Sequence, residues 1–86
     1  DLDVAVSECV ALYGADVWCG FPGEVQEILV NMVFNLGRPR LSKFKKFNLA
    51  LSTGDWDFAA IEGRDSLWYR QVTNRAERLM ERLENV

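Results

Sequence analysis

Val25-Gln26-Glu27-Ile28-Leu29-Val30-Asn31-Met32-Val33-Phe34-Asn35-Leu36-Gly37 is the stretch that decides the fold. Val25, Ile28, Leu29, Met32, Val33 and Leu36 recur at the three- and four-residue spacing of a single helix face. That makes an apolar stripe broad enough to meet a core. Phe21-Pro22-Gly23 opens the helix, and proline suits a first turn because its missing N–H would have no intrahelical partner there. Gly37 ends the helix and Arg38-Pro39 is read as the turn after it.

Toward the N-terminus, Leu2, Val6, Cys9, Val10 and Tyr13 also recur at helical spacing, with Gly14 as a stop and Ala15–Gly20 as a turn-like segment. Toward the C-terminus, a helix is expected from Leu41 to Leu51. Leu41, Phe44, Phe47, Asn48 and Leu51 share its face, and Lys43, Lys45 and Lys46 point mostly away. Ser52-Thr53-Gly54 stops it. Asp55 is a good N-cap for a short helix through Ile61 that Gly63 closes, because its carboxylate can accept from orphan N–H groups. Ser66 caps one more turn carrying Leu67, Trp68 and Tyr69. Asn74 and Glu77 have capping-box spacing ahead of a last helix lined by Ala76, Leu79, Met80 and Leu83. No stretch alternates apolar and polar residues as a strand would, and no heptad is sustained. The expected fold is all-α, a compact orthogonal bundle of short helices in one domain, residues 1–86.

Composition narrows the chemistry. The 86 residues are 49% hydrophobic, which suits a packed core and argues against disorder. Ten basic against 13 acidic residues give a net charge of −3, without the basic footprint of a nucleic-acid binder. Arg38, Arg40, Lys43, Lys45 and Lys46 form a local basic stretch, with no acid between Glu27 and Asp55. It reads either as a solvated helix face or as an attraction to an anionic surface such as cell wall or phosphate. There is no histidine, which removes Ser-His and Cys-His catalysis. Two cysteines, Cys9 and Cys19, are too few for an all-cysteine zinc site, so no metal is expected. The pair reads either as a disulfide or as two small buried thiols. No stretch approaches the ~20 apolar residues that span a bilayer, so no membrane partner is expected. The chain begins at Asp1 and not at Met, which suggests a processed product or a fragment.

Function enters through resemblance. Val30-Asn31-Met32-Val33-Phe34-Asn35-Leu36-Gly37 resembles the N-M-x-F-N-x-G helix end of phage-type lysozymes. Phe44 falls where the next family helix carries a Phe. Gly54-Asp55-Trp56 with Ala59-Ala60 resembles G-x-W-x-x-A-A, and Ser66 to Gln71 resembles S-x-W-Y-x-Q. Asn74-Arg75-Ala76-Glu77-Arg78 resembles N-R-A-x-R. The motifs follow in family order over Val30 to Arg78. The resemblance implies the C-terminal helical lobe of such an enzyme, with residues 1–14 as the end of the interlobe helix, a short helix after it, and 24–86 as the lobe proper. Lysozymes of this type are muramidases that cut the β-1,4 bond between N-acetylmuramic acid and N-acetylglucosamine in peptidoglycan. Their catalytic carboxylates sit in an N-terminal lobe, in a segment that has no counterpart here. The implied partners are peptidoglycan glycan strands and that missing lobe, and no cofactor is implied. A phage endolysin of this kind acts from the host cytoplasm on the cell wall, and an animal homologue is secreted.

By position, the resemblance gives five substrate-side candidates. Phe34 aligns with a cleft aromatic that touches sugar, although by spacing alone it is equally a core residue. Asn35 follows it at a polar position facing the interlobe region. Arg75 aligns with an arginine that holds the catalytic Glu across the cleft, although it could instead pair with a surface acid. Phe47 and Glu62 stand where relatives have small polar sugar contacts, and they could stack on a ring or accept from hydroxyls. Asn31, Trp68 and Tyr69 read as structural ties between helices. Glu24 with Glu27, and Asp55 with Asp57, are the available acid pairs, and acids in a first turn are better explained by the helix dipole than by catalysis. No catalytic residue is therefore assigned. Two further readings remain, a non-catalytic peptidoglycan-binding module and a helical protein-interaction module.

Overall fold

A computed structural model describes residues 2–86, so Asp1, the first residue of the expected helix end at 1–14, lies outside the described residues. Among the described residues there are eight helices and no strand, and the all-α expectation holds. Their contacts cluster in two compact units, Asp1–Lys43 and Phe44–Val86.

The first unit holds α1 (Leu2–Tyr13), α2 (Ala15–Gly20), α3 (Gly23–Leu36) and α4 (Arg38–Leu41). α3 runs where the apolar stripe predicts it. Val25, Ile28, Leu29 and Met32 are fully buried, with Val33 and Leu36 close behind. Ala15–Gly20 is not a turn but a six-residue helix, the short helix that the resemblance implied. Gly14 breaks the backbone with φ 91°, which an L side chain resists, and its carbonyl then accepts from the Trp18 N–H at 2.9 Å to start α2. Six residues are too few for periodicity to register. What holds α2 is tertiary. Trp18 and Phe21 are buried, their rings edge to face at 6.2 Å, and Tyr13 meets Phe21 in the same way at 5.6 Å. The Gln26 side-chain amide donates to the Trp18 carbonyl at 2.8 Å and ties α3 to α2.

The expected helix from Leu41 to Leu51 is two elements. Arg38-Pro39 is the start of α4 and not a turn, with Pro39 in its first turn. The Ser42 hydroxyl donates to the Pro39 carbonyl at 2.6 Å and the Lys43 N–H donates to Arg40 at 3.1 Å, which closes α4. Phe44, with φ −78° and ψ 68°, is non-helical.

The second unit holds α5 (Lys45–Ser52), α6 (Trp56–Arg64), α7 (Leu67–Gln71) and α8 (Thr73–Glu84). Asp55 caps α6 as expected, Oδ1 accepting from the Phe58 N–H at 3.1 Å, and Ser66 caps α7 through the Tyr69 N–H at 3.2 Å. Gly63 does not close α6 but lies inside it, on the buried face with Ala59 and Ala60. A Cβ there would fall on Met80 Sδ of α8. The small residues of α6 let α8 approach closely, and α8 fills the contact with Ala76, Leu79, Met80 and Leu83.

The capping box at Asn74 and Glu77 does not form. α8 begins at Thr73 after Val72, with no side-chain cap. Glu77 is engaged elsewhere. It accepts from Arg64 Nε at 2.8 Å and Nη2 at 3.0 Å, and from the Tyr69 hydroxyl at 3.1 Å. Glu84 takes Arg64 Nη1 at 2.8 Å and Nη2 at 3.1 Å. One guanidinium thus joins α6 to two turns of α8, and Tyr69 adds α7. A bidentate, charge-assisted pair outweighs a single exposed cap bond. Tyr69 is a tie between helices as expected. Asn31 is not, since its amide donates to Glu27 of its own helix at 2.9 Å. Trp68 is buried by packing alone, and its Nε1–H finds no partner.

Two outcomes follow. Leu29→Ala removes a fully buried side chain from α3 and is expected to cost about 2–5 kcal/mol, lowering the melting temperature by about 10 °C or more. A shift under about 2 °C would mean the buried face is wrongly assigned. The Arg64 bonds hold Glu77 and Glu84 below their ordinary value of 4.5. A lowered carboxyl adds stability that is present above the ordinary value and lost as pH falls through the folded one. Melting temperature is therefore expected to drop with acidification below about 4.5, and Arg64→Met should flatten that limb.

Candidate functional site

α1 and α3 pack together, and α4 closes one end of the pair. The last turns of α3 decide what this surface presents. Met32, Val33 and Leu36 turn inward, and Phe34 is left 55% exposed between them. Consecutive helix residues are about 100° apart, so a stripe that buries 32, 33 and 36 must turn 34 outward. The core reading of Phe34 is thereby excluded.

Two grooves flank the Phe34 ring. The first, about 340 Å³, is lined by Val4, Ala5, Glu8, Val33, Arg38 and Pro39 along with Phe34. Glu8 of α1 and Arg38 of α4 form an ion pair at 2.8 Å at its edge. Both side chains are more than a third exposed, so the pair is worth about 1 kcal/mol at most and its hydrogen-bonding groups stay accessible to a ligand. The second groove, about 500 Å³, is lined by Leu2, Val6, Trp18, Val30, Gln26, Glu27 and Asn31 along with Phe34.

Asn35, the next candidate, is half-buried, and its amide donates to the Asn31 carbonyl of its own helix at 2.8 Å. Phe34 and Asn35 are thus brought together on one turn of the first unit. The other three candidates lie in the second unit. Glu62 is half-buried on α6, and Arg75 is exposed in the first turn of α8. Phe47 is a correction. It is 1% exposed, its ring edge to face with Phe44 at 6.0 Å, and it offers no face on which a sugar could stack.

Cys9 is fully buried, and Cys19 is exposed and unbridged. Burial, helped by the Glu8 charge, pushes the Cys9 thiol up to about 11, so it is no nucleophile near neutral pH. Glu24 lies in the first turn of α3, and Asp57 in the first turn of α6 beside the capping Asp55. Lys43, Lys45 and Lys46 are exposed, whereas Arg38 is engaged by Glu8. Among the described residues no group of three or more His, Cys, Asp or Glu could hold a metal ion, and no helix is long and apolar enough to cross a membrane. Sequence reasoning missed the Glu8–Arg38 pair, because residues 30 apart in the chain carry no periodic signal of their contact.

No family model matches the chain. It is similar to the pre-baseplate central spike protein Gp5 of Enterobacteria phage T4, with 41% identity over 63 residues, 73% of this chain and 11% of that protein. It is also similar to the protein named "Probable T4-type lysozyme 2" of Dictyostelium discoideum, with 40% identity over 52 residues, 60% of this chain and 31% of that protein. The chain therefore spans less than a third of the length of either relative. The similarities support a lysozyme-like relationship.

Proposed function

We propose that this chain is the C-terminal lobe of a phage-type muramidase, which hydrolyses β-1,4 bonds between N-acetylmuramic acid and N-acetylglucosamine in peptidoglycan. The catalytic carboxylates would come from polypeptide outside these 86 residues. The observation that carries the reading is the ordered run of lysozyme-like motifs over Val30–Arg78, and the 40% identity to a T4-type lysozyme supports it.

The chemistry agrees. Glycoside hydrolysis needs a proton donor and a second carboxylate, or a water activated by one, flanking the scissile bond. Glu24, Asp55 and Asp57 lie at helix starts, and Glu77 and Glu84 are locked on Arg64. What the chain does offer is an exposed aromatic beside a groove with an accessible ion pair. In this reading Phe34 stacks on a sugar face, and Asn35 and Glu62 bond to hydroxyls. Arg75 holds a carboxylate of the missing lobe by a charge-assisted hydrogen bond. Phe47 has no part in it. The partners are the glycan strand and that lobe.

The test is co-sedimentation of the purified chain with insoluble peptidoglycan, alongside a turbidity-clearing assay. Saturable binding without clearing is expected. Phe34→Ala should weaken binding about two- to tenfold, the range of one aromatic contact. Clearing by the chain alone, or equal binding by Phe34→Ala, would contradict the reading.

A further inference from the structure

The lysines around the start of α5 have no part in glycan cleavage as proposed. Lys43, Lys45 and Lys46 are exposed. Three peptide steps separate the first from the last, so the chain itself holds their Cα atoms within about 11 Å. Among the described residues none of the three ammonium groups has a hydrogen bond or an ion pair, whereas Arg38 is engaged by Glu8. No acid stands between Glu27 and Asp55 in the sequence.

Their position works against the fold. Lys45 and Lys46 open α5, where the helix dipole is positive and carboxylates are favoured. That first turn has no acid and no side-chain cap. α6, by contrast, starts on the Asp55 cap with Asp57 beside it. Lysines at this end repel one another and the dipole, and no group of the chain pairs with them. A bound anion would relieve both repulsions. Ammonium groups on flexible stems act as separate point charges, which suits phosphate esters, whereas a planar fork for carboxylates is the property of arginine. A platform for stacking nucleic-acid bases is not built here, since Phe47 is buried and Phe44 packs edge to face against it. The large apolar residue that α5 exposes is Leu49, too little surface to insert into lipid. We infer that Lys43, Lys45 and Lys46 form a site for an anionic phosphodiester polymer of the kind that accompanies glycan in a cell wall. The inference rests on the charge and placement of these lysines and not on the cleavage reading.

The test is calorimetric titration of the purified chain with soluble poly(glycerol phosphate) over a range of salt. Saturable binding is expected, and log K should fall with log salt at a slope of about −2, from three phosphate contacts at about 0.7 each. Lys46→Gln should reduce that slope by about 0.7. Lys46→Asp should weaken the polymer more than Lys46→Gln does, and it should raise the melting temperature by about 2–6 °C, because an acid suits the helix start. Weaker binding by a protein that melts higher separates loss of a site from loss of fold. A solvated face would give the higher melting temperature alone. No binding at low salt, a slope near zero, or unchanged affinity in Lys46→Asp would overturn the inference. So would equal affinity for polyglutamate, since carboxylates would then serve as well. Tighter binding to phosphatidylglycerol vesicles or to single-stranded DNA than to the polymer would overturn it too, by making the partner a membrane or a nucleic acid.

Discussion

The phase of α3 sets what the first unit can do. Six apolar side chains lie on one stripe and reach 0–7% exposure, and that stripe leaves only one place for Phe34, on the outside. Moving the helix by one residue to cover Phe34 would carry Met32 or Val33 into water, at about 1.5–3 kcal/mol per buried side chain lost. The helix backbone that carries Phe34 is fixed by its neighbours' burial, so a ligand covering the ring orders only the side-chain torsions. The place of Phe34 in the lining of both grooves and that of Asn35 beside it follow from that phase.

The second unit is organised differently. Its closest packing comes from small residues, Ala59, Ala60 and Gly63, which let α6 and α8 meet backbone to side chain. Its polar links come from one arginine shared by two glutamates. These features engage Glu77 and Glu84 of the C-terminal helix. Glu24, Asp55 and Asp57 are placed at helix starts, and Glu77 and Glu84 are held by Arg64. That is why the proposed cleavage calls for groups outside this chain.

Much of the architecture was legible from residues alone. Long stripes and caps work through local geometry, so α3, the Asp55 cap and the Ser66 cap could be read directly. α2 and α4 could not, because four to six residues show no period and both depend on tertiary partners, glycine breaks and turn bonds. The Asn74–Glu77 box was a sound local pattern overruled at a distance, since Arg64 and Tyr69 offer Glu77 stronger bonds than a cap would. The same limit applied to the site. Exposure of Phe34 followed from its neighbours' spacing once the buried stripe was fixed, and the burial of Phe47 from the apolar face it shares with Leu51, whereas the family position it aligns with pointed to the sugar instead.

The central claim is that this lobe works beside a carboxylate-bearing lobe of the same protein. The intact mass of the native protein, taken from its source by immunoprecipitation and mass spectrometry, tests it most directly. The account predicts a mass well above the 9.8 kDa of these 86 residues, with room for a second lobe. A native mass near 9.8 kDa would contradict it.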